Sequence, residues 1–378
     1  MPPSSSRRWE LDALRGLMLV LMTLTHMPTQ FSSPLGQPFG YVSAAEGFVF
    51  LSAFIAGQVY SRKALRQGVP AMRQAFWQRA RKLYFCQLGL LLLAFTLFAW
   101  LGVRNHQGGM TGLVEFYLLK PVTAVVGSVL LVYTPPLLDI LPIYIVFMAV
   151  SPWVLARGLR RGWGPVLALS GLIWLAEQWG AAHWLYQAVN RWVPMPIPYR
   201  DMGAFHVLAW QFLWVLGLAL GARQAPLPRI PAWVWVPAAV FAMVSLVWRH
   251  RVGQDPMPGV PLMTWLFDKW ALGPLRMVNF ACLLALLLAA GPWLKARLPR
   301  PLPLELLGQH SLSVFCLHLI IAMLTLAYFG STEVLRPWTT DLVILLGAFA
   351  GLFATALVSQ ARDERRLPWQ RPSAPKVR

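Results

Sequence analysis

Apolar residues are gathered into long blocks along this chain, and shorter polar stretches separate the blocks. A helix needs about 20 predominantly apolar residues to cross the hydrocarbon core of a bilayer. Ten blocks approach this length: 11–31, 43–61, 83–101, 137–156, 163–181, 205–222, 232–248, 273–291, 308–329 and 339–360. The pattern predicts an all-α fold, a polytopic transmembrane bundle of about ten helices in a single integral-membrane domain, 1–378.

Composition and charge strengthen this interpretation. Of 378 residues, 57% are apolar and only 12% are charged, whereas soluble proteins average about 25% charged residues. The net charge of +19 is spread over alternate loops and not over one patch, so we expect no nucleic-acid partner. The first loop set, with both termini, holds 23 Lys and Arg residues and the other set holds eight. The positive-inside rule then places both termini, including the basic tail 361–378, in the cytoplasm.

One further apolar stretch, 118–133, is shorter and is interrupted by Pro121. A spanning helix at this place would disturb the alternation of charge between successive loops. We therefore interpret 118–133 as a re-entrant or interfacial segment on the outer side of the membrane.

Familiar catalytic motifs are missing from the sequence. It contains no Gly-rich phosphate loop, no HExxH, no GxSxG and no Cys-x-x-Cys pair. We therefore predict no metal site and no tightly bound cofactor. If the protein is an enzyme, histidine is its main reactive group.

Ionisable residues inside apolar blocks are the candidates for function, because each is costly in a bilayer. The set comprises Asp12, Arg15, His26, Glu46, Asp139, Glu177, Arg276, His310 and His318, with Gln211 as a neutral companion.

Arg15 and His26 stand eleven residues apart on the first predicted helix. At about 100° and 1.5 Å per residue, they share one face and are separated by about 16 Å along the axis. This arrangement suits a long ligand whose anionic head binds Arg15 while the reacting atom meets His26. The alternative is a snorkelling arginine and a histidine that serves helix packing.

Glu46 lies among small residues in SAAEGFVFLSAF, which favours close helix packing. Its carboxylate could orient His26, as an acid does for a catalytic base; alternatively, protonation or Arg276 neutralises it. His318 ends the string GQHSLSVFCLH and is either a site residue or a packing residue, while His310 fits an interfacial position. The loop 62–82 carries seven cations, which either bind the phosphates of a nucleotide-type donor or anchor the loop on anionic membrane lipid.

Two strings resemble the acyltransferase-3 superfamily of membrane acyltransferases. LDALRGLMLVLMTLTH resembles its first helix, Arg-x10-His, and GQHSLSVFCLH resembles its late helix, with Gly308, Ser311, Phe315 and His318 in the matching places. The strings SAAEGFVFLSAF, LLDILPIYIVFMAVSP, AWQFLWVLG and LGPLRMVNF are similar to the OpgC family, named for succinylation of osmoregulated periplasmic glucans. Two positions depart from that pattern. Ala53 replaces an expected glycine, and the chain reads Phe205-His206-Val207 where Phe-Asn-Pro is expected.

The resemblance implies an O-acyltransferase of the bacterial inner membrane, with cytoplasmic acyl-CoA (succinyl or acetyl) as donor and a periplasmic glucan or other glycan hydroxyl as acceptor. It implies catalytic roles for His26, Glu46 and His318, and donor binding by Arg15 and Arg276. It also implies substrate-binding roles for Gln211 and Asp139. The rival hypothesis is a glycan or lipid transporter or flippase, whose helices would also bury charges around a midplane site. A purely structural membrane partner would leave the buried ionisable residues without explanation.

Overall fold

The computed structural model describes residues 8–225, 230–331 and 336–366, and this part of the chain contains helices and no β-strand. The helices are α1 Trp9–His26, α2 Ser32–Gly36, α3 Ala44–Leu93, α4 Ala99–Arg104, α5 Gly108–Leu113, α6 Glu115–Leu119, α7 Pro121–Val129, α8 Ile140–Arg161, α9 Gly164–Glu177, α10 Ala181–Trp192, α11 Val207–Ala222, α12 Ala232–Val252, α13 Pro261–Leu266, α14 Pro274–Arg297, α15 Leu302–Gln309, α16 Ser311–Phe329 and α17 Trp338–Arg366. A π-helical turn, Ala94–Phe98, joins α3 to α4, and a 3-10 turn covers Tyr199–Asp201. The all-α prediction is confirmed.

Six helical stretches of the described chain are long and apolar enough to cross a membrane, by length and composition: Ala44–Arg104, Ile140–Arg161, Ala232–Val252, Pro274–Arg297, Ser311–Phe329 and Trp338–Glu364. Two shorter apolar helices, α9 and α11, accompany them. Helix α1 is not among the six because it carries Glu10, Asp12 and Arg15. Each of the ten apolar blocks overlaps a helix, but a total of ten spans and the sides of the termini stay predictions.

The cationic stretch 62–82 is helical, and our expectation of a connecting loop there is wrong. It belongs to α3, whose 50 residues are broken only at Gly68, where φ is +84°. Ala, Arg, Lys and Gln favour helix, so the chain stays helical beyond the apolar blocks. Glycine alone adopts the left-handed region readily, so the direction change falls at Gly68.

The stretch 118–133 contains the end of α6 and the nine-residue helix α7. Nine helical residues extend about 14 Å, half of the distance across the hydrocarbon core. At the chain's other end, α17 continues to Arg366, so 361–366 extend a helix. The remainder of the basic tail lies outside the described residues.

The core forms where α3 packs against α8 and α11, with α1 against α15 and α12 against α14 as further close pairs. Helices α1 and α15 approach backbone to backbone. A Cβ on Gly308 would overlap the carbonyl of Asp12, and one on Gly16 would overlap the carbonyl of Leu304. Small residues permit such contact between helices in a membrane. This approach holds the first helix beside the chain segment that leads into α16.

Candidate active site

A pair of histidines joins the first helix to α16. The Nδ1 atom of His26 lies 3.0 Å from Nε2 of His318, within hydrogen-bonding distance. The two rings lie end to end and nearly in one plane, with 14° between the planes and centroids 5.3 Å apart. His318 is fully buried, whereas His26 keeps partial exposure. The pair therefore presents one partly accessible imidazole, that of His26, which is hydrogen-bonded to the buried imidazole of His318.

The guanidinium of Arg15 binds the start of the same helix. Its Nη2 donates a hydrogen bond of 2.5 Å to Oγ of Ser311. Arg15 and His26 therefore both face α16, as their spacing predicts. Because Ser311 precedes His318 as Arg15 precedes His26, α1 and α16 run in the same direction.

The other residues of the GQHSLSVFCLH string also have defined contacts. The ring of Phe315 packs edge-on against His318 at 4.8 Å and stacks with Phe48 at 5.9 Å, measured between centroids. Phe48 in turn lies 5.9 Å below the guanidinium carbon of Arg15. An aromatic wall of Phe48 and Phe315 thus extends from the arginine to the histidines.

A cavity of about 250 Å³ opens beside Arg15. Its polar lining consists of Arg15, Ser52, Tyr60, Arg79, Tyr144 and Ser311, set among apolar side chains. Two arginines in one partly apolar cavity suit a ligand with an anionic head and an apolar or extended arm. Arg79 lies in the cationic stretch 62–82 and is not among the site residues that the sequence predicts. Its position in the sequence could have indicated this role. Arg79 lies four residues, one helical turn, before Leu83, where an apolar run begins, so both side chains face the bundle.

Glu46 has a different partner from the one expected. Its Oε1 accepts a hydrogen bond of 2.5 Å from Nε of Arg276, and both side chains are at most 3% exposed. Its Oε2 accepts a 3.0 Å bond from the backbone N–H of Ser43 and a further bond from the Ser43 hydroxyl. Glu46 therefore caps α3 and neutralises Arg276, which was the alternative we left open. His26 is oriented by His318 instead.

Lys269, from the connection before α14, adds a positive charge that the sequence pattern does not assign to the site. It interacts electrostatically with Glu46, Arg276, Asp139 and His26. Burial lowers the pKa of its amine, and the attraction of Glu46 opposes this shift. The nearby Asp139 has a pKa raised to about 6 by burial, while its Oδ2 accepts a 3.4 Å bond from the N–H of Ala204. Lys269 is thus within electrostatic range of both His26 and Asp139.

Gln211 lies elsewhere. Its Nε2 donates to the Ser170 carbonyl at 2.8 Å, and its Oε1 accepts from the Ser170 hydroxyl at 2.6 Å, so it fastens α11 to α9. The buried Glu177 accepts from the backbone of Ala182 and lies 2.8 Å from Nδ1 of His206. His310 separates α15 from α16, with Nδ1 at 3.7 Å from the exposed Asp363. The structure does not bring these residues into contact with His26.

Helices long and apolar enough to cross a bilayer, with a histidine pair and an ion pair buried between them, define an all-helical membrane protein with a polar internal site. Buried ionisable side chains in such a protein mark a functional site. The family described as OpgC protein matches residues 7–364, and the chain belongs to that family. No curated protein and no solved structure matches the chain significantly.

Proposed function

We propose that this OpgC-family protein is an O-acyltransferase of the bacterial inner membrane. It transfers an acyl group, succinyl or acetyl, from cytoplasmic acyl-CoA to a hydroxyl of a periplasmic glucan or related glycan. The observation that carries the proposal is the 3.0 Å contact between His26 and His318. A partly exposed imidazole held by a buried partner is what general-base or nucleophilic catalysis requires.

The donor would bind in the cavity between Arg15 and Arg79. Arginine forms paired hydrogen bonds with phosphate oxygens, so the two guanidinium groups suit the phosphates of CoA. From Arg15 to His26 the helix rises about 16 Å, a distance that an extended pantetheine-like arm can cover. The aromatic wall of Phe48 and Phe315 lies along this path and would shield the thioester from water. Acyl-CoA is thus a substrate and not a resident cofactor.

The chemistry follows from the tautomer in which Nδ1–H of His26 donates to His318. That tautomer leaves a lone pair on Nε2 of His26, which takes the proton of the acceptor hydroxyl. The hydroxyl oxygen forms a bond to the thioester carbonyl carbon, the C–S bond breaks, and the proton passes from His26 to the leaving thiolate. In the second route, Nε2 attacks the thioester carbonyl carbon, the C–S bond breaks and CoA leaves as the thiolate. The glycan hydroxyl oxygen then attacks the acyl carbon, the C–N bond breaks, and the hydroxyl proton passes to the thiolate. Both routes need the same neutral imidazole.

The charges beside His26 have a role in this proposal. In the tetrahedral intermediate, negative charge develops on the carbonyl oxygen, and fixed positive charge stabilises it. Lys269 is in electrostatic range of His26, and Arg276 belongs to the same charged cluster. Glu46 positions Arg276, so its catalytic contribution would pass through that arginine.

Sidedness provides the test. Purified protein is reconstituted in proteoliposomes of known orientation, and labelled acyl-CoA and glucan are supplied on chosen faces. We expect acyl ester on the glucan only with acyl-CoA on the cytoplasmic face and glucan on the opposite face, and none with His26→Ala. Movement of glucan across the bilayer without ester formation would support the transporter hypothesis. Full activity with both substrates on the cytoplasmic face would refute transfer through the membrane.

A further inference from the structure

Four buried side chains at one end of α14 carry polar atoms without a partner among the described residues. These atoms are Oη of Tyr41, Nε of Arg249, Nη2 of Arg276 and the amide of Asn279. Every one of these residues is at most 5% exposed. Buried polar atoms are nearly always hydrogen-bonded in folded proteins, so four orphaned groups in one place require an explanation.

The four groups converge because the chain near Gly40 passes between α12 and α14. A Cβ on Gly40 would lie 3.4 Å from Oδ1 of Asn279 and 3.2 Å from the backbone nitrogen of Leu246, one turn before Arg249. Arg276 and Asn279 are three residues apart, on one face of α14.

The next residue, Tyr41, completes the enclosure. Its ring packs against Phe267 with centroids 4.4 Å apart, and the Phe267 carbonyl accepts a 3.3 Å bond from Nη1 of Arg276. Arg249 is close enough to interact electrostatically with both Tyr41 and Arg276. The four side chains are therefore neighbours in one region of the fold.

The cations of this cluster are only partly balanced. Glu46 neutralises Arg276, and Asp255 is within electrostatic range of Tyr41. No carboxylate of the described residues lies within ion-pairing distance of Arg249. A buried cation without a counter-charge is costly. A buried water could satisfy the amide of Asn279, but it would leave the charge of Arg249 uncompensated. Three of the four groups can donate N–H bonds, which are what the oxygens of an anion accept.

We propose that Tyr41, Arg249, Arg276 and Asn279 form a binding site for an oxyanion, a carboxylate or phosphate group carried by one of the two substrates. The proposal rests on the transferase function, and it adds a charge requirement that this function does not itself contain. The anionic group belongs either to the free end of the acyl chain or to the glycan, and Arg249 is the residue that recognises it.

The test compares Arg249→Gln with Arg251→Gln, a matched control on an exposed residue two positions away. Each is assayed with succinyl-CoA or the uncharged butyryl-CoA, and with neutral or carboxymethylated glucan. We expect Arg249→Gln to lower kcat/KM about 10- to 100-fold, the value of a charged hydrogen bond, only for pairs that contain the recognised anion. Loss confined to succinyl-CoA places the anion on the acyl chain. Loss confined to carboxymethylated glucan places it on the acceptor.

An equal loss with all four pairs, or less than a threefold loss with every pair, would overturn the proposal. If Arg249→Gln does not fold, Asn279→Asp replaces it, because a carboxylate there should repel the anion and give the same selective loss. If the wild type transfers no acyl group, the transferase function fails, and binding is then measured directly. Because the cavity beside Arg15 and Arg79 also offers cations to an anion, succinate or inorganic phosphate should raise the Tm of wild type and of Arg251→Gln by more than that of Arg249→Gln. Equal shifts in all three would refute the site itself.

Discussion

The hydrogen bond between His26 and His318 makes a quantitative prediction about His318. During transfer, His26 gains a proton, and its Nδ1–H then donates as a charged group over the 3.0 Å distance. Hydrogen bonds of charged groups contribute about 1.5–3 kcal/mol, against about 0.5–1.5 kcal/mol for neutral ones. The difference is about 1–1.5 kcal/mol, so we expect His318→Ala to lower kcat roughly 5- to 15-fold. His26→Ala removes the base itself and should cost about 100- to 10,000-fold.

A glutamine at position 318 can place its Oε1 where Nε2 of the histidine lies and accept the same bond. His318→Gln should therefore recover most of the activity that His318→Ala loses. The measurements are kcat and KM for acyl transfer in proteoliposomes, with expression and Tm followed in parallel. His318 is fully buried, so its truncation costs some stability, on the order of a few kcal/mol. His250→Ala, at an exposed histidine, is the control for loss of an imidazole.

The double variant decides whether the two histidines act as a unit. If His318 works through His26, adding His318→Ala to His26→Ala should cause no further loss, because residues of one catalytic unit are not additive. Losses that multiply would show two independent roles. Activity of His318→Ala within threefold of wild type would refute the supporting role outright.

Three further predictions concern other parts of the chain. Arg15→Lys keeps the charge but not the planar fork, so the KM for acyl-CoA should rise with little change in kcat. Reporter fusions after Gln67, after Arg161 and at the C-terminus should report cytoplasm, and one within 184–200 should report periplasm. Asp139 has a folded pKa of about 6, above its usual 3.8, so its protonated form stabilises the fold at low pH and about 3 kcal/mol is lost as pH rises through 6. Asp139→Asn should abolish this fall in Tm between pH 4.5 and 7.5.

Each of these has a clear contrary outcome. An unchanged KM with a collapsed kcat would move Arg15 to the reacting centre. Reversed reporters at any two of the four sites would contradict the predicted topology. A wild-type Tm that stays level, or rises, from pH 4.5 to 7.5 would show that Asp139 is not held neutral by burial.

The sequence predicts helices well here, because bilayer thickness imposes a length that apolar blocks reveal directly. The relation of Arg15 to His26 was equally accessible, since both lie on one helix and helical geometry fixes their separation. Cationic residues gave less information. The stretch 62–82 was assigned to a loop on its charge, although its helix-forming residues continue α3.

Partners across the bundle were beyond the sequence. Glu46 and Arg276 are 230 residues apart, and nothing in either segment distinguishes that pairing from one between Glu46 and His26. The sequence places Arg249 and Lys269 in loops, and the local sequence does not show that neighbouring helices bury their side chains. A motif can name a position such as Ser311, but only packing shows that its hydroxyl binds Arg15.

The parallel arrangement of α1 and α16 has a consequence for biogenesis. His26 and His318 are separated by 292 residues, so at about 5–20 residues per second the ribosome needs roughly 15–60 s between them. During that time α1 carries Arg15 and His26 before their partners on α16 have been made. The histidine pair therefore forms late in synthesis, and a chain that ends before α16 lacks both partners however well its earlier helices have inserted.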